Sequence, residues 1–141
     1  MKTTPSKLTI QRNTFPQRDC ELTKLPFVAF VKTSPRGVKL NLWHVPSVDC
    51  YATANIIGAQ YAADLIQYIK NNPDPAGGLL GLVARDMRDA PSRGDASHGI
   101  DVGFWAIIEK ALTHKGDTFD HYGAAEAMAQ KTAHFVDAAH E

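Results

Sequence analysis

A chain of 141 residues with 44% hydrophobic and 21% charged residues and no net charge matches one globular domain, long enough to bury a core without disulfide or metal staples. No stretch approaches the ~18 consecutive apolar residues of a membrane span, the amino terminus lacks the apolar core of a signal peptide, and Cys20 and Cys50, without CxxC spacing, read as structural thiols in a reducing, cytoplasmic compartment. Charge is divided: residues 1–50 carry eight Lys/Arg against three Asp/Glu and the remainder seven against twelve, so the two halves suit each other, a second copy or two different partners rather than nucleic acid in general.

In chain order, residues 1–25 form a polar arm with Pro5 and Pro16, in which only KLTIQR alternates like an edge strand. Residues 26–46 read as a β-hairpin, because two runs of β-branched and aromatic residues flank the turn signal SPRG. Alternation in its second strand puts Val38, Leu40 and Leu42 on one face, expected to meet helices, and Lys39, Asn41 and Trp43 on the other. Residues 51–141 form the helical part. Ile57, Tyr61, Leu65 and Ile69, widened by Ala54, Ala62 and Ile66, predict a long helix over about 53–71 that Pro73 stops. After the linker NNPDPAGG, Leu79, Leu80, Val83 and Met87 give a second helix. The loop APSRGDASHG leads to a third through Phe104, Ile107, Ile108 and Leu112, with Asp101 as its cap, and an alanine-rich fourth follows over 121–141. The architecture expected is α+β: a single domain in which an antiparallel hairpin or small sheet packs on about four helices.

Five of the six histidines lie in the last 44 residues, and HKGDTFDH over 114–121 concentrates two of them with two aspartates. His114, Asp117, Asp120 and His121 offer N and O ligands suited to zinc, manganese or iron, the chemistry of a metal-dependent hydrolase or transferase. Helix-terminus rules account for the same residues. His114 and Lys115 favour the negative end of a helix, Gly116 closes it, and Asp117, Thr118 or Asp120 caps the next one. This second account is the stronger, because no two histidines share the three- or four-residue spacing of a helical metal pair.

Other catalytic signatures are absent: there is no GxSxG elbow, no Walker loop and no GxGxxG. Cys50 and His44, with Asp49 between them, could make a thiolate nucleophile only if the pair met in space, and the favoured reading is a strand-end histidine and a semi-buried thiol; Arg93-Gly94-Asp95 reads as a turn.

The favoured functional element is a surface. Lys32, Arg36, Lys39 and Trp43 are expected on the hairpin's tip and outer face, where Trp and Arg can anchor an acidic partner or contact phosphates and a base. Asp86, Asp89, Asp95, Asp101 and Glu109 form the acidic counterpart. The expectation is therefore a non-enzymatic interaction or regulatory module that binds a protein or nucleoprotein complex, requires no cofactor, and pairs as a homodimer through its last helix. The metal-dependent enzyme and a sequence-tolerant nucleic-acid binder are the alternatives. Short length, no catalytic signature and a hairpin followed by helices resemble the inhibitor-type accessory proteins of phages and plasmids.

Overall fold

The structure, a computed structural model, describes residues 22–72, 78–91, 94–115, 120, 122–123, 126–127 and 129–130. The chain divides into two compact units, residues 1–108 and 109–141. Among the described residues of the first, a 3-10 turn at Leu22–Lys24 precedes two strands, β1 (Ala29–Ser34) and β2 (Gly37–Asn41), and three helices follow: α1 (Tyr51–Asn71), α2 (Leu79–Asp89) and α3 (His98–Lys115), whose last residues belong to the second unit. Among the described residues this is an α+β fold with three complete helices rather than about four. The fourth helix expected over 121–141, its homodimer role, and the KLTIQR strand of the arm fall largely or wholly outside the described residues.

β1 and β2 pair antiparallel, with Phe30 opposite Leu40, Val31 opposite Lys39 and Lys32 opposite Val38. Pro35 and Arg36 make the two-residue turn that SPRG signals, and a register shift between Lys32 and Ser34 leaves Thr33 as the extra residue of a bulge. β2 then stops at Asn41, and Asn41 folds back on its own chain: its Oδ1 accepts the Trp43 N–H at 2.9 Å. The Leu42 N–H is donated across the molecule to Asp86 Oδ2 at 2.9 Å. With the ladder ended, Leu42 and Trp43 are buried in succession.

α1 buries Ala54, Tyr61, Ala62 and Leu65, the stripe that the four-residue spacing predicts. Its far end is closed by Asn72, whose N–H reaches the Tyr68 and Ile69 carbonyls and whose side-chain amide also donates to Tyr68, satisfying orphan acceptors of the last turn. α2 buries Leu79, Val83 and, less expectedly, Asp86. α3 begins at His98, so Asp101 lies within its first turn and is not its cap.

Leu25, Phe27, Leu42, Trp43, Leu65, Val83, Ile100 and Phe104 are among the residues that close the core. At its centre Phe27, Trp43, Tyr61 and Phe104 meet in tilted and edge-on geometry, with ring centroids 5.0–6.4 Å apart. That is the range in which aromatic pairs add about 0.5–1.5 kcal/mol beyond the area they bury.

α1 and α3 approach so closely that three glycines, Gly58, Gly99 and Gly103, have no room for a Cβ. A Cβ on Gly58 would lie 1.9 Å from the Ile100 carbonyl oxygen, and one on Gly103 would lie 2.1 Å from the Asn55 carbonyl oxygen. Gly99 meets Tyr51, Gly103 meets Asn55, and Gly58 also meets the Phe104 backbone, so the contacts advance together along both helices and the two run in the same sense where they cross.

Candidate functional site

The register sorts the hairpin into two faces, since residues paired across an antiparallel ladder project to the same side. One carries Phe30, Lys32, Val38 and Leu40; the other carries Val31, Lys39, Ala29 and Asn41. Val31, Thr33, Lys39 and Asn41 line a cleft of about 150 Å³ whose opposite wall is Asp86, Asp89, Ala90 and Pro91 at the end of α2. The face turned to the helices is therefore the one that holds Lys39. The opposite face is open: Phe30 is 66% and Val38 64% exposed, Lys32 is exposed between them, and only Leu40, nearest the core, is half-buried against it.

This overturns the expected arrangement in two respects. Val38 does not meet the helices: it is exposed, and of the residues on its face only Leu40 packs against the core. Trp43, expected beside Lys39 on an outer face, is 1% exposed; strand alternation ends at Asn41, two residues before it. Lys32 and Arg36 are exposed on the open face and at the tip, whereas Lys39, also exposed, stands on the α2 side by the carboxylates of Asp86 and Asp89.

Of the five acidic residues read as a partner surface, two hold the fold. Asp86 is buried, accepting the Leu42 N–H with one oxygen and Arg85 Nε at 3.1 Å with the other. Asp101 accepts the Trp43 indole N–H at 3.1 Å. Its partial burial raises the carboxyl above the usual range, an effect opposed by the Trp43 hydrogen bond and by neighbouring His98. Asp89, Asp95 and Glu109 remain exposed.

Beside Asp101 opens a larger cleft of about 320 Å³, whose walls include Trp43, Val45, Met87 and Pro91. Arg88, His98 and Ser97 also border it. The Ser97 hydroxyl is committed to the loop before α1, accepting the Val48 N–H at 3.1 Å and donating to the Val48 carbonyl at 3.4 Å.

His114 is exposed on α3 and Asp120 is exposed beyond it. Asp120 Oδ1 accepts the Gly123 N–H at 3.0 Å, the three-residue reach of a helix cap. Asp117 and His121 lie outside the described residues, and among those described no three His, Cys, Asp or Glu side chains are placed to hold a metal ion. Cys50 is exposed at the entry to α1. Hydrogen bonding to the Thr53 backbone, the Thr53 side chain and the Ala52 backbone lowers its thiol below the ordinary value. His44 and Asp49 are exposed as well, and of the RGD triplet Gly94 and Asp95 are exposed while Arg93 is outside the described residues. Among the described residues, no helix is long and apolar enough to cross a membrane.

No family model, curated protein or solved structure matches the chain. Sequence reasoning missed Phe30 and Val38 as surface residues and Asp86 and Asp101 as fold-holding ones. The signal available for the second pair was Leu42-Trp43 itself: two consecutive large apolar residues at the end of an alternating strand need a partner for their backbone and indole donors.

Proposed function

We propose that the protein is a non-enzymatic interaction module that captures an acidic protein segment on the open face of its hairpin. The exposure of Phe30 and Val38 on either side of Lys32 carries this reading. Large apolar side chains flanking a cation supply both halves of a binding surface: area to remove from water, at about 25 cal/mol per Å², and a charge that selects the partner and speeds encounter. Arg36 at the tip extends the positive charge. The two-stranded ribbon also has few strands to support it, and an isolated hairpin is marginal in water, so an occupant lying on it would stabilise both. An extended segment with Asp or Glu alternating with apolar residues fits, because its own period of two presents both chemistries to one face.

Charge reversal of Lys32 and Arg36 together tests this reading in titrations with a partner captured from the native host. The expected result is at least a tenfold loss of affinity with an unchanged far-UV spectrum, while Lys39→Gln, on the other face, binds normally. Equal binding by the Lys32→Glu/Arg36→Glu chain would remove the open face from consideration.

A further inference from the structure

We infer that the cleft between the end of α2 and the start of α3 is a binding site for an alkylammonium group, with Asp101 as its anionic anchor. The cleft's volume of about 320 Å³ stands at the lower end of the ~300–1,000 Å³ typical of ligand sites, so its occupant is small. The walls at Trp43, Val45, Met87, Ala90 and Pro91 are mainly apolar and suit a short hydrocarbon chain. Met87 supplies an adaptable thioether to such a surface.

Charge decides the other end of the ligand. Arg88 is held to Asp89 at 3.1 Å, and Ser97 is engaged with Val48. Asp101 has one oxygen on the Trp43 indole N–H; His98, also on the cleft wall, acts on it through charge, and among the described residues no hydrogen bond or ion pair occupies Oδ2. A carboxylate partly withdrawn from water, beside an apolar wall and with acceptor capacity left, gains from a ligand N⁺–H because charge-assisted hydrogen bonds are the strong ones. A metal ion has less to hold it, since no group of three ligating side chains is assembled among the described residues.

The ammonium can arrive on a free amine or on a lysine side chain of another protein, and the test separates them. In the ¹H–¹⁵N spectrum of the full chain, the Trp43 indole cross-peak, distinguished from that of Trp105 by a Trp105→Phe variant, is followed during titration at pH 8. The titrants are n-hexylammonium, n-hexanol and the blocked peptide acetyl-Ala-Lys-Ala-amide.

Saturable shifts with hexylammonium at least about tenfold tighter than with hexanol are expected, the contrast of one hydrogen bond to a charged group. Asp101→Asn, which keeps an acceptor for the indole, should lose the same factor. Saturation by hexylammonium alone assigns the site to a free amine, and saturation by the peptide assigns it to a presented lysine. The inference is overturned if hexanol binds as well as hexylammonium, if neither amine saturates, or if Asp101→Asn binds hexylammonium within about twofold of the parent. The alcohol comparison needs no variant, so it stands even if Asp101→Asn fails to fold.

Discussion

Asp86 shows how much one carboxylate decides in this fold. It is 7% exposed and its Oδ2 takes the buried N–H of Leu42, 44 positions away, so it joins the strand's end to α2. Replacing it with alanine leaves that N–H without an acceptor, and such a group costs about 1–3 kcal/mol. Urea unfolding of Asp86→Ala should show a loss of this size, and Asp86→Asn, which keeps an oxygen, should recover most of it. Asp101 acts in the other sense. Its folded-state pKa is raised, so the folded chain binds this proton more tightly than the unfolded one. Its contribution to stability is present below the unfolded pKa and lost as pH rises through the folded value. Asp101→Asn should therefore gain on the parent in thermal midpoint as pH rises from about 3 to about 7; a difference independent of pH would contradict the assignment. Leu42-Trp43 signals that acceptors are needed, but the sequence does not say that Asp86 and Asp101 supply them, because a carboxylate's neighbours depend on which helix turn meets which strand end.

At the scale of elements, periodicity served well where one face is buried along its whole length. α1 follows the Tyr61–Leu65 spacing, and α2 follows Leu79–Val83. The hairpin was located correctly; of the face assigned to the helices, Leu40 and Leu42 pack on the core and Val38 does not, and of the opposite face Trp43 is buried. A strand's period of two says that its faces differ but not which is covered, and a single-residue change of ladder or bulge exchanges them. Here Asn41 ends the ladder, so Trp43 turns inward beside Leu42, while Val38 is exposed on the same face as half-buried Leu40. The closeness of α1 to α3 was also invisible in the apolar stripe, which records large residues and not the small ones that allow backbones to meet. Gly58→Ala and Gly103→Ala test it separately, since each added methyl would strike a backbone carbonyl that can yield only by parting the helices. Each should cost at least the 1–3 kcal/mol usual for overpacking, seen as a lowered urea midpoint, whereas Gly81→Ala, in open space on α2, should be neutral or stabilising because alanine favours a helix by about 1 kcal/mol over glycine.

For the molecule as a whole, the division of charge first read from the sequence takes on a more specific form. Lys32 and Arg36 lie on an open ribbon next to exposed Phe30 and Val38, while two of the acidic residues meant to balance them hold the core side of the same unit together. The proposed partner surface is thus basic and apolar on the hairpin, and the proposed ligand cleft, bordered by the end of α2, has Asp101 as its anchor. Placing a photo-cross-linking phenylalanine analogue at Phe30 or at Val38 in the native host, with the less exposed Ile56 and Leu82 as apolar controls on α1 and α2, tests the hairpin directly. One protein should be trapped from both hairpin positions through an acid-rich segment, and not from the controls. Adducts formed equally from all four positions, or none from the hairpin, would contradict a docking role for that face.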